Sequence, residues 1–389
     1  MAHSNLTAAK KAKNDEFYTQ YHDIEIEINA YLDYNPDVFR GKTVLLPCDD
    51  PEWSNFTKYF AQNFERFGLK KLISTSYAVD SKLYKGGHQV SMFEETAPQY
   101  DKKKTTKNGK IFTITHDTSG DGKIDVDDLE WSYLLGDGDF RSLEVKKLRD
   151  EADVIITNPP FSLFREFLAW IVEVDKQFIL IGNMNAIKYK EVFPIIRDKK
   201  MWLGAGKNDG RNVWYQLPDD FKIFHKEEDG KKFAFVAGTI WFTNIDHGKR
   251  HQAIPLMTEE DVIKFSTKMP FEKYDNFDAI DVSRVKNIPS GYKTVMGVPI
   301  SFLSKHSPEQ FDIIGLSMKN GFGLESNKQY NKYKEIRQDG TFTGSSGKKT
   351  NGNPMIKGKP EKGNYYIDEL GNCAYSLYDR IFIVPAGKN

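Results

Sequence analysis

Asp153–Phe167, DVIITNPPFSLFREF, is the stretch on which the reading of this chain turns. Asp153–Thr157 is a short apolar run of the kind that forms a buried strand, and Phe161–Val174 reads as a helix. Between them stands Asn158-Pro159-Pro160-Phe161. Two adjacent prolines fit inside neither a strand ladder nor a helix, so this tetrapeptide is a stiff, extended turn. Strand, rigid turn and helix in that order make half of a βα unit. In open α/β sheets the carboxyl ends of the strands are where ligands bind.

The turn has a definite chemistry. Asn158 offers an amide oxygen, and Pro159 offers a carbonyl with no competing N–H beside it. Two acceptors on a rigid turn can hold both hydrogens of an exocyclic amino group and aim its nitrogen lone pair at an electrophile. Phe161 supplies an aromatic face on which a flat ring can stack. Together they describe a pocket for an extruded nucleobase. A Pro-Pro turn with a purely structural role is the plain alternative; the place of the turn after a strand in a βα chain favours the chemical reading.

The same alternation extends on both sides. Lys42–Cys48 (KTVLLPC) reads as a buried strand, and Glu52–Phe67 carries Trp53, Phe56, Tyr59, Phe60, Phe64 and Phe67 as a helical stripe that Gly68 stops. Lys71–Tyr77 (KLISTSY) is a second strand, completing a βαβ unit. Residues 80–140 interrupt the pattern with a basic turn at Asp101–Lys110, a strand at Ile111–Thr115 and an acidic run at Asp117–Asp139, and they read as an insertion on the core. Gln177–Gly182 is again a strand, Asn185–Lys199 a helix, and Lys232–Asn244 a β-rich segment expected to fold as a hairpin around Ala237-Gly238. The expected fold class is therefore α/β, a doubly wound sheet with an antiparallel hairpin edge.

The last third changes character. Thr341–Asn364 holds five Gly and five Lys, with Glu361 as its only acid, and reads as a mobile basic loop before a closing strand at Tyr375–Val384. The domain reading is a catalytic domain over 1–300, with an insertion at about 80–140, and a smaller C-terminal target-recognition region over 301–389.

Composition excludes several classes. The chain has 389 residues, with 55 Lys plus Arg against 55 Asp plus Glu, so it is not a uniformly basic nucleic-acid binder, although one basic face is compatible with that balance. Two cysteines, Cys48 and Cys373, rule out a disulfide framework and a cysteine-rich zinc site. Met1–Asn14 lacks the apolar core of a signal peptide, and the run Phe178–Ile181 is far too short to cross a bilayer; a cytoplasmic location without membrane contact is the expectation.

Taken together, Asp153–Phe167, Lys13–Gln20 (KNDEFYTQ), Val44–Phe56 (VLLPCDDPEWSNF), Gly136–Glu144 (GDGDFRSLE) and Ile181–Ala186 (IGNMNA) resemble the EcoRI-type adenine-specific DNA methyltransferase family. The resemblance is clear from about Lys10 to Gly206 and looser beyond. It implies a Rossmann-like methyltransferase sheet, S-adenosylmethionine as methyl donor, and transfer to adenine N6 in double-stranded DNA. It implies a catalytic role for Asn158, Pro159, Pro160 and Phe161. It also implies donor contacts by Phe17, Tyr18 and Thr19, by Pro47, Cys48, Asp49 and Asp50, and by Asp139 and Phe140. A monomer is implied too, with a cognate restriction nuclease acting independently as the associated activity.

The chain departs from the usual methyltransferase pattern twice. The loop after Leu46 reads Pro-Cys-Asp-Asp-Pro in place of a glycine-rich turn, and the second strand ends Ser74-Thr75-Ser76-Tyr77 without the acid that commonly grips the ribose hydroxyls; Asp139, Asp49 or Asp50 are the candidate replacements.

Two further segments offer other readings. Asp117–Asp128 (DTSGDGKIDVDD) has oxygen-bearing residues at the spacing of a calcium loop, with Gly122 at its turn and Asp where a bidentate Glu is usual. An acidic turn without metal is the favoured reading there, and no metal ligand is assigned. Lys10, Lys11 and Lys13, Lys102–Lys104, and Lys348, Lys349, Lys357, Lys359 and Lys362 are candidate phosphate contacts or solvated surface charge. Gly204–Arg211 (GAGKNDGR) only superficially resembles a phosphate loop. The rival functions are methyl transfer by the same fold to RNA adenine, to cytosine or to a protein glutamine amide, and a non-enzymatic DNA-binding protein with a calcium loop.

Overall fold

A computed structural model of the protein describes residues 18–49, 54–78, 97–206, 213–217, 224–266, 270–318 and 322–387. Phe17, Asp50, Lys10, Lys11 and Lys13 lie outside the described residues. The chain divides into two units, Met1–Ile187 with Met201–Gly248, and Lys188–Lys200 with Lys249–Asn389.

The first unit contains β1 (Tyr18–Thr19), β2 (Thr43–Pro47), β3 (Lys71–Thr75), β4 (Lys110–Ile114), β5 (Glu130–Tyr133), β6 (Val154–Thr157), β7 (Gln177–Asn183), β8 (Trp202–Leu203), β9 (Val213–Leu217), β10 (Lys226–Glu228), β11 (Lys231–Val236) and β12 (Thr239–Thr243). Eight of them form one sheet in the order β5-β4-β3-β2-β6-β7-β12-β8. The inner strands β3, β2, β6 and β7 run parallel, while β4, β5, β12 and β8 pair antiparallel at the two edges. Every residue of β2 and β6 is buried, which explains why both read as unbroken apolar runs rather than alternating ones.

Alternation along each strand assigns the two faces. Val44, Leu46, Leu72, Val154, Ile156 and Ile179 join a core with Ile24, Ile28 and Tyr31 of the Tyr21–Tyr34 helix and Phe56, Tyr59 and Phe60 of the Asn55–Gln62 helix. On the other face, Phe164 of the Phe164–Val172 helix meets Phe242 of β12 with ring centroids 5.2 Å apart, and Phe167 and Trp170 enclose Phe140. Gly68, in the left-handed region at φ 62°, ends the short Phe64–Phe67 helix as the sequence predicts.

Four expectations are corrected. Part of the 80–140 insertion is the sheet itself, since β4 and β5 form an antiparallel hairpin that extends β3 outward. Ala237-Gly238 turns no hairpin: β11 pairs with β9 in a second sheet of order β1-β9-β11-β10, while β12 pairs with β7, so the chain changes sheets there. Thr239–Thr243 is buried throughout and belongs to the main core, whereas β11 has exposed and half-exposed positions. Asn185–Lys199 is not one helix but a 3₁₀ turn at Met184–Lys188 and a short helix at Phe193–Arg197, and the second unit takes over at Lys188. Finally, Thr341–Asn364 is not a free loop. It contains strands at Phe342–Ser346 and Met355–Lys357, and Thr350, Met355 and Ile356 are buried.

The second unit has a four-stranded sheet of Ile280–Asp281, Met296–Pro299, Arg380–Pro385 and Phe311–Leu316 in that order. Its five-stranded sheet has the order Phe342–Ser346, Lys334–Ile336, Tyr365–Ile367, Cys373–Ser376, Met355–Lys357. A boundary near 300 would cut this unit, because Met296–Pro299 pairs with Arg380–Pro385. Asp281 ties the sheet internally, accepting hydrogen bonds from Tyr274 at 2.7 Å and from Arg380 Nε at 2.8 Å.

The glycine-rich Gly204-Ala205-Gly206 stretch has an internal role. The amides of Ala205 and Gly206 donate to the fully buried carboxylate of Glu27, and Tyr31 donates to the same group at 2.5 Å. A Cβ on Gly204 would overlap that carboxylate. The anion these amides hold is thus the protein's own side chain. Replacing Glu27 by Ala strands both amides in the interior and is expected to destabilise the unit by about 3 kcal/mol, read as a lowered urea midpoint at unchanged m-value.

Candidate active site

The chain order of the parallel strands reverses between β2 and β6. From β2 the chain moves outward to β3, then returns to lay β6 on the opposite side. A crevice forms at such a switch point, where neighbouring loops leave in opposite directions. The register Val44↔Val154 and Leu45↔Ile155 brings Pro47 level with Thr157. Thr157 Oγ1 donates to the Pro47 carbonyl at 2.8 Å, joining the last residues of the two strands. The loop Cys48-Asp49 and the turn Asn158-Pro159-Pro160-Phe161 therefore start side by side. Thr157→Val keeps shape and removes this bond. It should cost about 1 kcal/mol of stability and slow the reaction that the family resemblance implies several-fold at unchanged fold, measured by denaturant titration and single-turnover rates.

Each loop is held by its neighbours. Cys48 takes the left-handed conformation, φ 67°, that a glycine usually supplies at such a turn. Its amide points at Thr75 Oγ1 at 3.4 Å. The next carbonyl, of Asp49, accepts from Thr57 Oγ1 at 3.0 Å and from Ser74 Oγ. Asp49 itself is buried and accepts from Ser54 Oγ at 2.7 Å. Cys48 is half-buried and forms no disulfide. The missing glycine pattern is thus replaced by a cysteine in the left-handed region, with one hydroxyl on its amide and two on the Asp49 carbonyl that follows.

In the turn, Pro159 is buried and Asn158, Pro160 and Phe161 are half-buried. Phe161 opens a 3₁₀ turn over Phe161–Leu163, capped by the Leu163 amide on the Pro160 carbonyl at 2.9 Å, before the α-helix begins at Phe164. Phe161 also packs against Tyr215 of β9 and Val236 of β11, so the second sheet borders the turn. That sheet carries β1, where Thr19 pairs with Tyr215. The Thr19 carbonyl accepts from the side chain of Asn55, the first residue of the helix that follows the Cys48-Asp49 loop, at 2.7 Å. The segment with Tyr18 and Thr19 is consequently pinned beside that loop.

The end of β3 gathers acids that the strand itself lacks. The Ala78 amide donates to the Asp137 carbonyl at 2.7 Å, and Gly109 and Gly138 come so close to the Ser76 carbonyl that a Cβ on either would collide with it. Glu144 grips the amides of Leu135 and Gly136 from the other side. Burial, together with the neighbouring Asp137 and Asp139 carboxylates, pushes the Tyr77 hydroxyl up to about 12. Asp139 is held below its ordinary value by hydrogen bonds from Arg141, whose Nη2 lies 2.6 Å away. Asp137 was not foreseen; the signal was its Gly-Asp-Gly spacing, which lets the loop press against the strand end. Phe140 turns inward, with its ring centroid 5.0 Å from Phe167, and packs in the core.

The donor set suits a methyl-sulfonium nucleoside. Asp49 and Asp137 place carboxylates at the ends of β2 and β3, Asp139 beside them is ion-paired with Arg141, and the buried Thr19 Oγ1 has no hydrogen-bond partner among the described residues. The calcium-loop segment is internally satisfied. Asp128 accepts from the amides of Thr118, Ser119 and Asp125, and Asp117 from those of Gly120 and Gly122, all within 2.9 Å. Among the described residues, no three His, Cys, Asp or Glu side chains gather as a metal site, and no helix is long and apolar enough to cross a membrane.

Residues 5–363 match the family described as the EcoRI adenine-specific methyltransferase. The chain is 41% identical over 314 residues to the type II methyltransferase M.EcoRI of Escherichia coli, covering 79% of this chain and 88% of that protein. It is 33% identical over 312 residues to the type II methyltransferase M.MpnI of Mycoplasma pneumoniae, covering 79% and 83%. It is 31% identical over 316 residues to the type II methyltransferase M.MgeORF184P of Mycoplasma genitalium, covering 80% and 85%. No solved structure matches the chain. Adenine specificity leaves the glutamine, cytosine and non-enzymatic readings without support. With the switch-point crevice and its Asn-Pro-Pro-Phe turn, these matches assign the chain: it belongs to the EcoRI family of adenine-specific methyltransferases.

Proposed function

We propose that this methyltransferase acts on an adenine rotated out of double-stranded DNA within a specific sequence, and that its methyl donor is S-adenosylmethionine. The observation that supports the reading is the hydrogen-bonded junction of Pro47 and Thr157, from which the Cys48-Asp49 loop and the Asn158 turn start side by side. The donor supplies an electrophilic methyl group on a sulfonium. Asn158 Oδ1 and the Pro159 carbonyl accept the two N6 hydrogens, and Phe161 stacks on the purine. This orientation points the N6 lone pair at the methyl carbon; as the new N–C bond forms, the methyl–sulfur bond breaks, the sulfonium leaves as a neutral thioether, and N6 loses a proton to solvent. Positioning and electrostatics provide the rate, and no covalent enzyme intermediate is needed.

Thr19, Asp49 and the Asp137–Asp139 loop hold the donor, with Asp137 and Asp139 replacing the acid absent from the end of β3. Tyr18, Pro47 and Cys48 line the same crevice through their backbones. The second unit is assigned target recognition. The protein works as a monomer in the cytoplasm, independently of a cognate restriction nuclease. Calorimetry with S-adenosylmethionine, followed by label transfer to duplex DNA, single-stranded RNA and a glutamine peptide in parallel, tests this. Binding with label in DNA alone is expected; label in RNA or peptide in preference to DNA would overturn it.

A further inference from the structure

We propose that a groove in the second unit is a DNA-phosphate contact site centred on Lys348; this rests on the reading of duplex DNA as substrate. The groove encloses about 630 Å³. Its one large apolar side chain is Met318, so it is unlike the apolar pockets that take small organic ligands. Ser317, Ser345, Ser346, Asn351 and Asn353 also line it.

Its charges do not cancel. Asp379 is paired with Lys188 at 2.7 Å, and Lys349 with Glu335 at 2.6 Å. Asn351 and Asn353 use their side-chain amides internally, on Asn331 and Ser376. Lys348 is exposed and has no ion-pair partner among the described residues, so the groove keeps one uncompensated cation beside the Ser345 and Ser346 hydroxyls. That combination suits a phosphodiester oxygen.

The cation is held in place rather than carried on a loose loop. The Gly347 amide donates to the Tyr333 carbonyl at 2.7 Å, and a Cβ at Gly347 would press on the Tyr330 carbonyl. Thr350 Oγ1 closes the turn onto the Gly347 carbonyl at 2.7 Å, and Asn351 Oδ1 accepts from the Tyr330 amide at 2.8 Å. The turn that bears Lys348 is thus anchored before and after it, and ordering entropy at binding is small.

The test compares wild type, Lys348→Ala and Lys348→Arg for binding to duplexes with and without the methylated sequence, across salt concentrations. One phosphate contact contributes about 0.9 to the slope of log affinity against log salt, so the loss between about 50 and 200 mM salt should be about 3.5-fold smaller for Lys348→Ala. The weakening should be the same on both duplexes, Lys348→Arg should restore the slope, and S-adenosylmethionine binding should not change. An unaltered slope for Lys348→Ala, with wild type methylating DNA normally, would overturn the proposal. So would loss of deoxyadenylate binding in Lys348→Ala at unchanged duplex affinity, which would reassign the groove to a small anion. Failure of wild type to methylate any DNA would instead overturn the functional reading, and this inference with it.

Discussion

Asn158→Ala is expected to lower the single-turnover rate of methyl transfer by about a thousandfold or more while S-adenosylmethionine affinity stays within about threefold of wild type. The asymmetry follows from where Asn158 stands. It leads the turn after β6, and its amide oxygen is one of two acceptors proposed for the amino group that reacts. The groups proposed to hold the donor, Asp49 and the 137–139 loop, follow other strands and are fixed by Thr57, Ser74 and Ala78. Asn158→Gln retains the chemistry but shifts the oxygen by one methylene, and a displacement of about 1 Å costs on the order of a hundredfold. Rapid-quench measurement on a duplex oligonucleotide, with calorimetry for the donor, separates the two effects. A variant that binds the donor poorly and transfers at the normal rate once saturated would place Asn158 on the donor side instead.

Gly138→Ala is expected to be strongly damaging to the first unit. Gly138 sits at φ 84°, and an added methyl group would overlap the carbonyl of Ser76. The left-handed conformation alone costs an ordinary residue about 1–2 kcal/mol. The collision is with backbone, which cannot rotate aside, and overpacking of that kind adds about 1–3 kcal/mol. Stability should fall by about 3 kcal/mol, and donor affinity by at least tenfold, because Asp137 and Asp139 flank the displaced residue. Gly120→Ala is the control. Gly120 also has a positive φ, 79°, but nothing lies within 4 Å of an added Cβ. It should show the conformational strain without loss of donor binding. Equal effects of the two variants on donor affinity would remove the 137–139 loop from the site.

Much of this architecture was readable in the residues. The parallel strands β2, β3, β6 and β7 announced themselves as apolar runs, and Asn158-Pro159-Pro160-Phe161 fell where strand ends into crevice. Failures came where the deciding partner is distant in sequence. Lys232–Asn244 is uniformly β-rich, and nothing local reveals that its halves pair with β9 and β7. Glycine and lysine content suggested mobility over Thr341–Asn364, but the buried Met355 and Ile356 find partners in strands elsewhere in the same sheet. Gly204–Arg211 resembles a phosphate loop only superficially, and what the Ala205 and Gly206 amides hold instead, the Glu27 carboxylate, lies far back in the chain. Asp139 is named by the motif it stands in, whereas the proposal of Asp137 needs the backbone contact between Ala78 and the loop.

The central claim, methyl transfer to adenine N6 in duplex DNA, is tested most directly by one measurement. Purified protein is mixed with unmethylated plasmid and methyl-labelled S-adenosylmethionine, the DNA is digested to nucleosides, and the labelled nucleoside is identified by mass spectrometry. The account predicts label in N6-methyl-2′-deoxyadenosine. Label in a modified deoxycytidine, or a bound donor with no label in DNA, would contradict it.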